Sequence, residues 1–411
     1  MVSDATVVGG GVAGLVVARR LALAGASVTV LERSDAFGGQ VAALPIGGVV
    51  LDAAAESFAT RGGAVAALAD ELGLGDDVVA PSSSPAWLHR RDGSAVPLPV
   101  TGIMGIPGRP LAADVVRAIG LPGAWRAALD GLLPRRVGAD ASSIGDLVRA
   151  RMGPAVVDGL VAPVVRGVHS TDPYALPVDA VSPRLRSALA SSGSLATAVR
   201  TLRAQAPAGT QVAGIRGGMH RLVDALVADC GRLGVDLRTG ASGSVVPRGL
   251  VVRAHSEPGA GSRTLTIVTL VVRAGALDAA PRGTGLLVAA DAPGVAARAL
   301  THLTSKWAWI GEAMPGRHAL RLSYDGAPSD AVATARADAE ILLGATIERV
   351  DDAATRRWRR GATGAAVAAQ PAVGETVAGT GLAAVVAHAE RTAAELIAGH
   401  PPRPVRERME R

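Results

Sequence analysis

The chain has 411 residues, 49% hydrophobic, 19% charged and 2% aromatic, a globular composition that excludes a disordered chain and leaves room for two or three domains at roughly 150 residues each. Net charge is +6 and Lys306 is the one lysine among 42 basic residues, but the arginines are scattered and no basic block is interleaved with aromatics, so a nucleic-acid partner is not expected. The single cysteine, Cys230, excludes an internal disulfide and fits a reducing compartment.

No basic n-region precedes the first apolar stretch, so no signal peptide is expected and the reading is cytoplasmic. The longest strongly apolar runs, such as Leu265 to Val272, fall far below the ~20 residues of a spanning helix. Membrane contact is expected to be peripheral at most. The arginine richness reads either as codon bias or as affinity for an anionic ligand, since the guanidinium fork pairs with carboxylates.

Residues Thr6 to Gly9 read as a short buried strand. Gly9, Gly11 and Gly14 follow in G-x-G-x-x-G spacing, then a helix from Val12 to about Ala24, closed by Gly25, and a second strand from Ser27 to Leu31. Gly9 permits the tight turn, Gly11 lets a pyrophosphate approach the backbone, and Gly14 lets helix and strand pack closely. The helix start, Val12 and Ala13, offers free N–H groups and a positive dipole end to phosphate. Glu32 ends the second strand about 20 residues after the turn, where an acid holds ribose hydroxyls and disfavours a 2′-phosphate. A lone glycine motif is weak in a chain with 51 glycines; the strand-turn-helix-strand-acid context makes it specific.

Arg33 and then Gly38, Gly39 and Gln40 follow, and a glycine pair here lets a second loop approach the pyrophosphate. Val49 to Ala53 reads as a strand. The turn after it carries Ser57, and Val65, Leu68, Ala69 and Leu72 mark an amphipathic helix closed by Gly73. Residues 96–205 are rich in Pro, Arg and Ala and read as a mostly helical insertion. Gly217 and Gly218 open a helix with Leu222, Val223, Leu226, Val227 and Cys230 on one face, ended by Gly234, and Val235 to Arg238 reads as a strand. Leu265 to Val272, Gly285 to Ala289 and His318 to Tyr324 read as strands of a second sheet. The chain closes with the small-residue turn Gly379, Thr380, Gly381, Leu382 feeding a last helix, a second device for placing a dipole against a ligand. The histidines show no metal-ligand spacing, so no metal site is expected.

With Val8 to Leu15, Gly25, Val28, Val30, Glu32 and Gly38-Gly39, the sequence resembles the large FAD family that includes amine oxidases, phytoene desaturases and protoporphyrinogen oxidases. The stretches Gly105 to Leu111, Gly167 to Pro173, Leu303 to Trp309, Leu320 to Tyr324 and Val377 to Ala384 resemble its porphyrinogen oxidases, those of actinobacteria above all. The resemblance implies an α/β fold: a discontinuous Rossmann-like FAD-binding domain (1–80, 206–262, 361–411), a mixed-sheet substrate domain (81–95, 263–360) and the helical insertion (96–205). It implies FAD held by Gly9, Gly11, Val12, Ala13, Gly14, Glu32, Arg33, Gly38, Gly39, Gln40, Ser57, Gly379, Thr380, Gly381 and Leu382, the final turn lying against the isoalloxazine ring.

The implied reaction is oxidation of coproporphyrinogen III to coproporphyrin III in haem biosynthesis, with hydride passing to flavin N5 and O2 reduced to H2O2. The cofactor does the chemistry, so no catalytic side chain is expected. Protoporphyrinogen IX oxidase, a flavin-poor relative acting as a scaffold or haem-pathway partner, and an amine or polyene oxidase stay open as alternatives. Scarce Tyr and Phe argue against the aromatic cage of an amine oxidase. Arg61, Arg109 and Arg166 flank the matched stretches and are candidates for the substrate's carboxylates. His169 and His220 read first as surface or satisfied histidines; His169 is kept as a candidate because it lies in a matched turn. The partners implied are the porphyrinogen, O2 and haem-pathway enzymes, with the chain a monomer or dimer. Three stretches depart from the family pattern: 241–263 shows no clear second strand, 361–375 is mostly Ala and Gly where a strand should lead to the flavin turn, and Ala53-Ala54-Ala55 stands where relatives carry glycine.

Overall fold

The computed structural model describes residues 4–100, 102–169, 171–181, 184–205, 212–241, 249–254, 263–360 and 370–399. Chain contacts divide it into two units: Met1–Pro81 with Thr210–Arg263 and Arg359–Arg411, and Ser82–Gly209 with Thr264–Trp358.

The first unit is built on a parallel sheet in the order Asp236–Arg238, Ser27–Leu31, Asp4–Val8, Leu250–Arg253. Apolar side chains fill both faces because helices cover both. Val7, Val30 and Val252 belong to the same core as Leu15 and Leu21 of the helix Val12–Leu23, Leu222 and Leu226 of His220–Arg232, and Val386 and Ala389 of Leu382–Gly399. The stop signals act as read: Gly25, Gly73 and Gly234 each adopt positive φ just past a helix.

One of the expected departures from the family pattern, the missing second strand, does not hold in the fold. Leu250–Arg253 is a strand, paired in parallel register with Ala5 to Val8. Its four residues carry too little pattern to declare themselves; pairing with a buried neighbour supplies the stability. Beside it, Arg253 N donates to Pro371 O at 2.9 Å and Val373 N donates to Arg253 O at 2.8 Å, with a parallel bridge between Arg253 and Ala372. The chain before the last turn therefore meets the sheet edge at a single bridge, without forming a strand among the described residues. Residues 242–248, 255–262 and 361–369 lie outside the described residues. Ala53, Ala54 and Ala55 are absent from the positive-φ positions, so alanine fits that turn without backbone strain.

An ion-pair network joins four helices of this unit. Arg19 is paired with Asp229 at 2.5 Å and with Glu71 at 2.6 Å, while Arg20 is paired with Glu71 at 2.7 Å and Glu390 at 2.6 Å. Glu71 bridges the two arginines, and they hold its carboxyl down at about 2 against the opposing effect of burial.

The second unit carries a mixed sheet in the order Arg349–Arg360, Arg263–Arg273, His318–Asp325, Ala299–His302, Gly285–Val288, Trp87–His89, Ala95–Pro97. Alternate residues of His318–Asp325 face a core with the helix Ala331–Leu343: Leu320, Leu322 and Tyr324 pack with Ala335, Ala339 and Leu342. Helices Ala113–Ala128, Ile144–Met152, Ala162–His169, Leu185–Ser192 and Leu195–Ala204 surround a separate core containing Leu147, Val157, Val165, Leu189 and Val199. A Cβ on Gly167 would come 2.5 Å from Leu287 Cδ2, so glycine lets the helix Ala162–His169 close onto the sheet.

Inside the helical part lies a fully buried charge pair. Arg151 Nε donates to Asp130 Oδ1 at 2.5 Å, and its other nitrogens donate to the carbonyls of Asp130, Pro134, Val137 and Gly193. Asp130 Oδ2 accepts from Ser194 Oγ at 2.7 Å and Ala196 N at 2.9 Å. Both charges are thereby hydrogen-bonded, the condition for burying them. On the outside, Leu121, Trp125, Leu129 and Leu132 are exposed at i, i+4, i+8 and i+11. Among the described residues no helix is long and apolar enough to cross a membrane.

Candidate cofactor site

The site begins at the ends of the parallel strands, where an open α/β sheet binds ligands. Gly9 turns at φ +115° and its amide donates to Leu31 O at 2.8 Å. Gly11 caps the helix with extended backbone, φ −72° and ψ 174°, and a Cβ placed there would meet nothing within 4 Å. The first intrahelical bond runs from Leu15 N to Gly11 O at 3.0 Å, so the amides of Val12 and Ala13 precede it and are donors without an intrahelical partner. Gly14 serves close packing instead, since a Cβ there would lie 2.0 Å from Gly9 O. Gly9 thus makes the turn, Gly11 leaves its backbone uncovered and Gly14 allows close packing.

Glu32 closes the other side. Its Oε2 accepts from Gly10 N at 2.7 Å, and its Oε1 accepts from Ser34 N at 2.9 Å and Ser34 Oγ at 2.6 Å. Burial would raise this carboxyl, but the hydrogen bonds from Ser34 and Gly10, with Arg33 nearby, hold it below the usual carboxylate range. Phe37 packs beneath the turn, where a Cβ on Gly10 would come 2.4 Å from its ring. Gly38 N donates to Gly10 O at 2.8 Å, and Gly38 and Gly39 both take positive φ. A parallel bridge joins Gly38 to Gly11, so the second loop lies directly against the first. Arg33, Gly39 and Gln40 are exposed.

Gln40 links this loop to the chain's last turn: its Nε2 donates to Glu375 Oε2 at 3.2 Å. Glu375 opens the short helix Glu375–Ala378, after Gly374 at φ +110°. Gly379 and Gly381 follow at φ +83° and +100°, with nothing within 4 Å of either would-be Cβ, and the helix Leu382–Gly399 begins. The sequence reading missed Glu375. The Gly-Glu pair before a glycine turn is a signal of the same kind as Gly10 and Glu32, but its partner Gln40 lies 335 residues away.

The reading also missed Asp52. Its carboxylate accepts from Met219 N and His220 N, each at 3.0 Å, filling the start of the helix His220–Arg232. That helix terminus is therefore already occupied by an anion of the chain itself. His220 is not a plain surface histidine: its Nδ1 lies 3.3 Å from Asp52 Oδ1. Ser57 is half-buried in the turn before the strand Phe58–Ala59.

The substrate candidates fall in both units. Arg61 is exposed in the first and Arg109 in the second. Arg166 is half-exposed, paired with Asp172 at 3.1 Å, and its carbonyl accepts from Arg298. Of His169 only the backbone, at the end of Ala162–His169, is described. No group of three or more metal-ligating side chains occurs among the described residues. Another arrangement escaped the sequence: His302 Nε2 and His318 Nδ1 lie 3.1 Å apart, and His318 Nε2 is 3.2 Å from Asp278 Oδ1.

Residues 12–245 match the family model described as flavin containing amine oxidoreductase. The chain belongs to that family. Within it, the chain is 30% identical over 397 residues to the coproporphyrinogen III oxidase of Mycobacterium tuberculosis, covering 86% of this chain and 85% of that one. It is 28% identical over 351 residues to the coproporphyrinogen III oxidase of Propionibacterium freudenreichii, covering 70% and 67%. The fold is shared with a protein of Exiguobacterium sp. 255-15 described as a protoporphyrinogen oxidase (TM-score 0.79, 20% identity, 97% and 99% coverage). It is shared also with the cyclohexylamine oxidase of Brevibacterium oxydans (TM-score 0.64, 14% identity, 97% and 99% coverage). This flavin oxidoreductase is thus a porphyrinogen oxidase in type, and its cofactor is FAD.

The residues present suit that cofactor. Bare backbone faces open space at Gly11, Gly379 and Gly381. The amides at the start of Val12–Leu23 suit an anionic pyrophosphate, and an ionised carboxylate stands at Glu32, a pairing of donors and acceptor that matches a pyrophosphate followed by a ribose.

Proposed function

We propose that this porphyrinogen oxidase converts coproporphyrinogen III to coproporphyrin III. The observation that carries this reading is the similarity to coproporphyrinogen III oxidases over most of the chain, 86% of it at 30% identity. It is supported by a glycine turn and acid arranged for FAD.

In this reading the amides of Val12 and Ala13, beside Gly11, hold the pyrophosphate, with Gly9 and Gly14 shaping the turn. Gly38, Gly39, Arg33 and Gln40 close over it from the second loop, and Ser57 borders the site. Glu32 accepts from the ribose hydroxyls. Thr380 and Leu382, between and after Gly379 and Gly381, bring the last helix's positive end toward the flavin ring, where it favours the reduced, anionic form. FAD would supply the two-electron redox chemistry, taking up hydride at N5 and giving the electron pair to O2. Overall, coproporphyrinogen III would lose six electrons and six protons as three O2 become three H2O2. No side chain is required as nucleophile or metal ligand.

Arg61, Arg109 and Arg166, with His169, are proposed receivers of the substrate's propionates, since arginine pairs carboxylates with two parallel hydrogen bonds. The protein acts in the cytoplasm, as monomer or dimer, and passes product to a haem-pathway enzyme. Protoporphyrinogen IX is the second substrate reading, favoured by the match to protoporphyrinogen oxidase 2 of Arabidopsis thaliana, 30% identical over 47% of this chain.

The test is turnover of the two porphyrinogens side by side, with porphyrin fluorescence and peroxide measured together. Coproporphyrin and peroxide should appear together. Faster turnover of protoporphyrinogen would overturn the substrate, and a colourless protein that takes up no added FAD would overturn the enzyme.

A further inference from the structure

Glu32 is crowded with donors before any ligand arrives. A carboxylate offers about four acceptor positions. Oε1 receives two donors from Ser34, the amide at 2.9 Å and the hydroxyl at 2.6 Å, and Oε2 receives the Gly10 amide at 2.7 Å. Among the described residues the open position is therefore on Oε2. A ribose presents two adjacent hydroxyls, and a second one has no place on Oε1 while Ser34 holds it.

Ser34 has an alternative acceptor. Its Oγ also lies 2.9 Å from Ala36 O. The hydroxyl carries one hydrogen, so it donates to Glu32 or to Ala36. We propose that Ser34 is the positioning residue of the ribose-binding carboxylate: it tethers Glu32 in the free protein, and by turning its hydrogen to Ala36 it opens the second acceptor for a ribose diol. This rests on the reading of Glu32 as the ribose acid.

The charged surroundings leave Ser34 in control of the carboxylate. Arg33 and Asp35 are its neighbours in the chain. On the adjacent strand Arg238 is paired with Asp236 at 2.6 Å. The glycine turn contributes the Gly10 amide and no titratable group. Removing the Ser34 hydroxyl therefore removes the shortest of the bonds that keep Glu32 ionised.

The experiment titrates apoprotein with FAD, followed by quenching of flavin fluorescence, from pH 7.5 down to about 4.5, a range that reaches the ordinary glutamate titration. Ser34→Ala should bind FAD within about two-fold of the wild type at pH 7.5, because the Ser34–Glu32 bond it lacks is one that the bound state gives up. A deficit should open as pH falls, to about five-fold near pH 4.5, because the carboxyl returns toward its ordinary range. Ser34→Thr should restore the flat profile. A deficit in Ser34→Ala that stays constant with pH, or a Ser34→Thr variant with the pH profile of the alanine, would overturn the proposal. So would wild-type affinity in Ser34→Ala at every pH alongside a loss in Glu32→Gln. Wild-type affinity in Glu32→Gln would instead overturn the ribose reading beneath it. Unchanged thermal midpoints are expected in the Ser34 variants, since Ser34 is exposed.

Discussion

The Gly10 amide donates to Glu32 Oε2 at 2.7 Å, tying the first glycine turn to the end of the neighbouring strand. The bond places an acid beside the amides proposed to bind phosphate, with its orientation already chosen. It also means that the turn and the acid are one object: displacing Gly10 moves Glu32. Gly10→Ala should reduce FAD content, because the new Cβ would press on the Phe37 ring at 2.4 Å and on Glu32 Cβ at 2.9 Å and so displace the acid. Flavin absorbance per protein in the purified variant checks this.

The two flanking glycines should fail differently. At Gly11 a side chain meets open space and φ is ordinary, so Gly11→Val should keep the thermal midpoint and lose FAD, by filling the space the pyrophosphate needs. At Gly14 a Cβ would sit 2.0 Å from Gly9 O, and Gly14→Val should destabilise the fold by about 3 kcal/mol or more, the upper range for overpacking. Chemical denaturation and flavin titration on the same two variants separate the effects. Full flavin content in Gly11→Val would contradict the placement of the site.

The Asp130–Arg151 pair should show the asymmetry of buried charges. Asp130→Ala leaves the fully buried Arg151 guanidinium without its carboxylate and should cost about 3–5 kcal/mol. Replacing the pair together, with Asp130→Leu and Arg151→Met, should cost less than the single change. Urea unfolding of the three proteins decides it; a double variant weaker than the single one would refute this asymmetry.

The buried histidine pair predicts acid sensitivity. Burial, with His318 adding to it, pushes His302 down to about 4. His318 is also lowered by burial, against the opposing pull of Asp278. Asp278 accepts from His318 Nε2, so in the neutral pair His302 Nε2 donates to His318 Nδ1. A group whose folded value lies below its unfolded value contributes stability above the unfolded value and loses it as pH falls. Stability should therefore be full above the ordinary histidine value of about 6.5 and fall toward pH 4, by at most about 3 kcal/mol from His302. Thermal midpoints across that range check it, and His302→Phe should flatten the slope.

The exposed stripe should be energetically idle in the isolated fold. Leu129→Ser with Leu132→Ser removes side chains that are 45% and 82% exposed, and the unfolding free energy should stay within about 0.5 kcal/mol. A larger loss would mean that these side chains pack against something in solution.

What could be read from the chain alone was local. The turn at Gly9, the helix from Val12, the strand to Leu31 and the acid at Glu32 follow one another within about 30 residues, and each obeys a backbone rule that holds without tertiary help. The last turn at Gly379–Gly381 and its helix were legible for the same reason. The strand Leu250–Arg253 was not, because its stability comes from pairing with Asp4–Val8, which no local pattern encodes.

The sequence by itself determined the nucleotide-binding unit and the family. The tertiary structure alone decided the polar contacts between residues far apart in the chain. Glu375 reaches Gln40 across 335 residues, Asp52 occupies a helix start 168 residues on, and His302 meets His318 only because two antiparallel strands bring them together. The reason is physical: backbone preferences act over a few residues, while hydrogen bonds between distant side chains exist only after the sheets and cores have closed.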